Sequence, residues 1–352
     1  MTAPSPDAEA LVERRGRAGV IVLNRPKALN ALTLTMVRLI AAALDEWEGE
    51  SAVERVVLFG AGERAFCSGG DIRRLYDLGR AGDHDAQLTF WREEYQLDRR
   101  IKTYPKPVIA LVDGIVMGGG VGLAMHAAHT VAGERFVFAM PEVGIGFFPD
   151  IGAAWLLSRL PSRLGVYFAL TGLRADAGDA LALGLAQTFV PSAAFPALAH
   201  ALQDEPVETA LGRFAVPPPR SKLIGEAQAI DACFSHPDRA AILEALGEAE
   251  TRAQAFAAPA RAAMLEKSPT SQAIALRQMA QGATIDFDEA LRMDYRIVSR
   301  ICRGRDFYEG VRAVIVDKDN RPRWAPPPSR AEVDAYFAPL GDGELKFPAP
   351  RA

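Results

Sequence analysis

Cysteine, histidine and long apolar runs are all scarce in this chain of 352 residues, and each scarcity removes a class of function. The three cysteines, Cys67, Cys233 and Cys302, are widely spaced and include no CxxC pair, so neither a disulfide framework nor a thiolate metal site is indicated. Five histidines are present, and His126 and His129 lie three residues apart. No HExxH pattern or third ligand accompanies them, so no metal is expected. Ser68 lies outside any GxSxG elbow, and Cys67 has no His/Asn partner pattern, which leaves it a small core residue. No run approaches the roughly 18 apolar residues of a membrane span. Charge of one sign is also missing: 40 basic against 44 acidic residues leave a formal net charge of −4, which argues against a broad nucleic-acid surface. The start, Met1–Asp7, has no charged segment leading into an apolar one and reads as a frayed end without a signal peptide. Together with the isolated cysteines, this gives a cytoplasmic protein as the simplest expectation.

Apolar residues are plentiful, at 49%, enough for a sizeable core. Gly19–Leu23, Val56–Phe59 and Pro107–Asp113 read as buried strands, with shorter ones at 130–132 and 136–139. Met36, Leu39, Ile40, Ala43 and Trp47 recur at helical spacing behind Thr33 or Thr35 as a cap, residues 84–102 are helical, and a further helix begins near Gly120. Strands alternating with helices predict an α/β core. Beyond about residue 190 strand signals fade, while Phe287, Leu291, Tyr295, Val298 and Cys302 share one helical face, suited equally to an interface or to intrachain core. Val216–Pro219 cannot continue a helix and reads as a linker or turn, and Pro326–Pro328 separates a short tail. The expected organisation is a catalytic core over 12–200, a helical region over 201–325 and a tail over 326–352.

Chemistry concentrates in two glycine-rich turns and one acidic segment. Cys67-Ser68-Gly69-Gly70-Asp71 follows a strand and lets backbone approach a ligand closely, although a plain turn with Asp71 as cap fits equally. Gly118-Gly119-Gly120-Val121-Gly122 opens a helix after a strand. A GxGxxG dinucleotide fingerprint would need glycine at 123, which is Leu123, so N–H groups that meet an anion are the better reading, with a glycine-rich packing contact as the alternative. Glu142 and Asp150 flank Val143, Ile145, Phe147 and Phe148, surroundings that raise a carboxylate's proton affinity and suit it to acid/base or nucleophilic work, although capping or a structural ion pair is the commoner role of two isolated acids.

These segments, with Asn24–Leu32 and Lys106–Ala110, together resemble the enoyl-CoA hydratase/isomerase (crotonase) superfamily over about residues 15–190. The resemblance implies a spiral of ββα units with a helical C-terminal region that often supports homo-oligomers. It implies an oxyanion hole from the N–H groups of Gly70 and Gly119 and an acyl-CoA partner, with no nucleic acid or membrane partner. Lys27, Ala28 and Leu29, with Phe66, Ser68, Gly69, Gly70, Asp71 and Ile72, would hold the CoA portion. No cofactor is implied, because coenzyme A is part of the substrate.

Hydratases of this superfamily use two glutamates. The second matches Glu142, but the first would fall at Gly122, and an extra acid stands at Asp150. That exchange resembles the branch that hydrolyses a 3-hydroxyacyl-CoA thioester in valine catabolism. So do Trp91–Tyr95, Glu266–Ser271, Met293–Arg296 and Arg303–Val314. In that branch the positions matching Glu94, Gly119, Glu142 and Asp150 contact substrate or catalyse. Hydration or isomerisation of an enoyl-CoA, and non-catalytic acyl-CoA binding, are the competing readings.

Overall fold

The computed structural model describes residues 8–347; the Met1–Asp7 segment read as frayed lies outside them. The chain divides into two compact units. One comprises the chain up to Asp71, Leu97–Ala139 and Arg174–Gly225; the other comprises Ile72–Gln96, Met140–Leu173 and the chain from Glu226 onward.

The first unit carries all ten strands found among the described residues: β1 Ala10–Arg15, β2 Ala18–Leu23, β3 Arg55–Gly60, β4 Ala65–Cys67, β5 Val108–Val112, β6 Ile115–Met117, β7 His129–Ala132, β8 Val137–Ala139, β9 Ala175–Asp176 and β10 Thr188–Phe189. They form a sheet of order β1-β2-β3-β5-β7-β10 and a smaller one of order β4-β6-β8-β9. The large sheet is parallel apart from edge strand β1, which pairs antiparallel with β2. Successive strands alternate between the sheets, β3 then β4, β5 then β6, β7 then β8, and a helix, Gly119–Met125, follows β6. This is the ββα repetition that the resemblance implies.

Covering both faces explains the continuous apolar strands. Every residue of β2 and of β5 is buried. Ala18, Val20, Val22, Val57, Ile109 and Leu111 pack in one cluster with Leu198, Leu202 and Leu211, which come from or adjoin the helices Phe195–Ala201 and Val207–Phe214. Side chains of a strand alternate in direction, so Gly19, Ile21 and Leu23 point the other way. There the helix Leu34–Glu48, capped by the Thr33 side chain, buries Met36, Ile40, Leu44 and Trp47. A Cβ on Gly19 would stand 2.3 Å from the Trp47 ring, so glycine is what admits the indole. The short strands β4, β6 and β9 have two or three residues each, too few for a period to show in sequence.

The second unit is helical. Phe287–Ile301, capped by Asp286, buries Phe287, Leu291, Tyr295 and Val298, with Cys302 buried as its C-cap. That face is therefore intrachain core. No helix among the described residues is long and apolar enough to cross a membrane.

Asn30 fastens the loop before the first long helix. It is fully buried at φ +55°, accepts from the Arg25 N–H (2.9 Å) and donates to the carbonyls of Ala61 (3.0 Å) and Ala65 (2.9 Å). Asn tolerates this left-handed conformation better than most residues. Asn30→Ala should lower unfolding free energy by about 3 kcal/mol, since it strands buried polar groups. In urea the midpoint should fall with the slope unchanged.

Candidate active site

In the first unit, three backbone hydrogen bonds join the two segments expected to hold CoA. Ser68 N–H donates to Leu29 O (3.1 Å), Leu32 N–H to Gly69 O (2.8 Å) and Asp71 N–H to Leu32 O (2.8 Å). Lys27 and Ala28 sit exposed on the 3-10 turn Pro26–Ala28, while Leu29 is left-handed at φ +51°. Asp71 pairs with Arg25 (3.0 Å), and the Phe66 side chain is buried in the core. Ile72 opens the helix Ile72–Arg80 of the second unit.

The same turn approaches the second glycine loop. Gly69 (φ +107°) and Gly118 (φ +47°) adopt backbone conformations that L side chains rarely take. A Cβ on Gly69 would lie 3.6 Å from the N of Gly119. Gly119 begins the helix Gly119–Met125, so its N–H has no acceptor within that helix. Gly70 and Gly119 thus belong to adjoining turns, as an oxyanion hole requires.

Sequence reading missed Asp98. A Cβ on Gly122 would stand 2.3 Å from Asp98 Oδ1, and Asp98 is fully buried. The position where a hydratase carries its first glutamate is therefore closed by another carboxylate. Nothing in the run Asp98-Arg99-Arg100 signals this; only the helix His84–Lys102 brings Asp98 there.

The acids expected from sequence come together in the second unit. Glu142 heads the 3-10 turn Glu142–Ile145, pinned where Ser268 N–H donates to Val143 O (3.2 Å). A Cβ on Gly146 would fall 2.0 Å from the Asp306 carbonyl, so this turn lies directly on the helix Arg305–Val311. Beside it Trp91 stacks on Phe147, centroids 5.5 Å apart, and Phe147 touches Phe148 and Phe307. Glu142 is 6% exposed and its Oε2 has no hydrogen-bond partner among the described residues. Burial, and secondarily the charge of Asp150, hold its proton affinity well above the usual carboxylate range. Asp150 accepts from the Tyr95 hydroxyl (2.8 Å), and burial raises its pKa to about 7, the Tyr95 bond opposing. Burial, followed by the charges of Asp150, Asp294 and Glu94, keeps the Tyr95 phenol protonated. Glu94, also buried, adjoins Tyr95 on its helix. Two buried acids whose charges oppose each other retain a proton between them near neutrality, which supplies a base and an acid at one place.

The enoyl-CoA hydratase/isomerase family profile matches residues 18–337. Curated relatives include the mitochondrial 3-hydroxyisobutyryl-CoA hydrolase of Xenopus tropicalis, 42% identical over 97% of this chain and 91% of that protein. The human protein of the same name is 39% identical over 96% and 91%. Among solved structures, a carnitinyl-CoA dehydratase from Mycobacterium thermoresistibile superposes with a TM-score of 0.92 at 38% identity, over 97% of this chain and 99% of that one. An enoyl-CoA hydratase from Rhodobacter sphaeroides gives 0.90 at 42% identity, over 96% and 100%. The fold is therefore that of the crotonases. The cytoplasmic expectation is corrected: the relatives are named as mitochondrial. Sparse cysteines and short apolar runs do not distinguish one reducing compartment from another.

Two outcomes follow. Gly122→Glu should fold poorly and gain no hydratase activity, because its side chain meets Asp98; a lowered Tm with no crotonyl-CoA hydration checks this. Asp150 has a folded pKa above its unfolded 3.8, so it favours the folded state below about pH 4, and that contribution is lost as pH rises through about 7. Asp150→Asn, still able to accept from Tyr95, should therefore raise Tm by several degrees at alkaline pH, with the gain vanishing in acid. Thermal scans across pH read this out.

Proposed function

The chain belongs to the enoyl-CoA hydratase/isomerase family, and on that premise we propose that it is a thioesterase that hydrolyses 3-hydroxyisobutyryl-CoA to the 3-hydroxy acid and free CoA. The observation that carries this is the buried pair Glu142 and Asp150, with Glu142 Oε2 unengaged among the described residues, in a chain whose position 122 is glycine. Identity near 40% over almost the whole chain with relatives of that name supports the substrate.

Attack on a thioester carbonyl places negative charge on its oxygen. The N–H groups of Gly70 and Gly119 stabilise that oxyanion, and losing one such donor typically costs about 3–4 kcal/mol of barrier lowering. Glu142 either attacks the carbonyl, giving an anhydride that water then opens, or takes a proton from the attacking water. In both routes a C–O bond forms, the C–S bond breaks and the sulfur leaves as a thiol after gaining a proton. Asp150 moves that proton or holds the substrate's 3-hydroxyl, and Glu94 lines the acyl end. Lys27, Ala28, Leu29, Phe66, Ser68, Gly69, Gly70, Asp71 and Ile72 hold the CoA portion. 3-Hydroxypropionyl-CoA lacks one methyl of this substrate, a difference worth only about 1–3 kcal/mol of discrimination in an apolar pocket. The reaction serves valine catabolism.

The names of the two solved structures favour a second reading, reversible hydration. Syn addition of water to an alkene needs a second acid, and the first glutamate's position is Gly122, closed by Asp98.

Release of free thiol from 3-hydroxyisobutyryl-CoA by the purified protein is the direct test. Wild type should release it, and Glu142→Gln should lose at least about 1,000-fold in kcat while still binding the CoA ester. Hydration of crotonyl-CoA without thiol release, or wild-type turnover by Glu142→Gln, would overturn the proposal.

A further inference from the structure

The segment that carries Asp150 is held on both sides by two helices that otherwise take no part in the site. Gln278, on the helix Pro269–Gly282, donates from Nε2 to the Pro149 carbonyl (2.8 Å) and to Asp294 Oδ1 (2.7 Å). Asp294, on the helix Phe287–Ile301, accepts from the Gly152 N–H through Oδ2 (2.8 Å). Gln278 and Asp294 are both fully buried. The chain between the two fastened points is an unfavourable one. Ala153 N–H donates to the Asp150 carbonyl (2.9 Å), closing a tight turn, and within it Ile151 sits at φ +55° and Gly152 at φ +75°. A β-branched residue in the left-handed region is an outlier that persists only where the surroundings over-determine it. Gly152 has no room for a side chain, since a Cβ there would meet the Phe287 ring at 2.3 Å.

We propose that Asp294 and Gln278 are positioning residues for hydrolysis: they clamp the backbone before and after Asp150 and hold the strained 150–153 turn so that the Asp150 carboxylate stays on the Tyr95 hydroxyl and in register for catalysis. This rests on the thioesterase reading and on the role of Asp150 in it. Strain of this kind is a signature of functional turns, and a burial cost as large as that of Asp294, whose proton affinity is raised by desolvation and then by Asp150, is hard to justify for packing alone. An apolar residue of similar volume would fill the space without that cost but could not accept from Gly152.

The test is a double-mutant cycle on thiol release from 3-hydroxyisobutyryl-CoA, with full-length protein. Asp294→Ala and Gln278→Leu should each lower kcat by about 10- to 100-fold with KM within about twofold, as expected for a displaced catalytic group. Asp294→Asn keeps an acceptor for the Gly152 N–H and should recover most of the loss. In the Asp150→Asn background, Asp294→Ala should cost nothing further, because the group it positions is already disabled. Unchanged kcat in both single variants, or losses that multiply with that of Asp150→Asn, would overturn the clamp. If Asp294→Ala does not fold, Gln278→Leu carries the same cycle. Wild-type turnover by Asp150→Asn alone would remove the role of Asp150 and the clamp with it. Glu142→Gln, read separately, then decides whether the thioesterase reading itself stands.

Discussion

Glu142, Asp150 and Asp294 are buried acids that no cation reaches among the described residues; what faces them is one another, Tyr95, backbone N–H groups and Gln278. Removing a charge from water without a counter-ion is costly, and that cost raises the proton affinity of all three acids above the usual carboxylate range. Much of the second unit is arranged around this constraint. The aromatic group of Trp91, Phe147, Phe148 and Phe307 excludes water on one side, and the helices Pro269–Gly282 and Phe287–Ile301 supply the polar atoms on the other. Acids so placed are a poor contribution to stability and a good one to proton transfer near neutrality.

The first unit solves a different problem, that of presenting backbone N–H groups instead of side chains. Its parallel sheet is covered on both faces, and the glycine-bearing turns stand where strands end. Gly69 and Gly118 take conformations that would strain other residues, and the turns that hold them approach each other closely. Fixed backbone donors need no proton transfer and no reorganisation when charge develops, which is the advantage the proposed oxyanion hole at Gly70 and Gly119 would use.

Gly122 and Asp98 show how a family scaffold changes its chemistry. A glycine at 122 by itself says only that one glutamate is missing. The carboxylate of Asp98 in its place shows that the vacancy has been filled from the helix His84–Lys102, so that water-filled space does not replace the lost side chain. Asp150, bonded to Tyr95, is the acid that stands near the remaining glutamate, Glu142.

The sequence by itself determined the long elements. Continuous apolar runs at Ala18–Leu23 and Val108–Val112 and the helical period from Met36 to Trp47 are local patterns, set by burial and by 3.6- and 2-residue repeats. It also pointed to Glu142, Asp150, Gly70 and Gly119 as candidates, through short contiguous motifs and the family resemblance they carry. Strands of two or three residues such as Ala65–Cys67 and Ala175–Asp176 carry no period, and they were decided by pairing with distant partners. Asp98 and Gln278 were equally invisible, and the segments that contain Tyr95 and Asp294 gave no sign of what those side chains touch: only packing brings Gln278 and Asp294 to the backbone around Asp150, more than a hundred residues earlier in the chain. Charge and hydrogen bonding between residues far apart in sequence leave no local pattern, so the tertiary structure alone decides them.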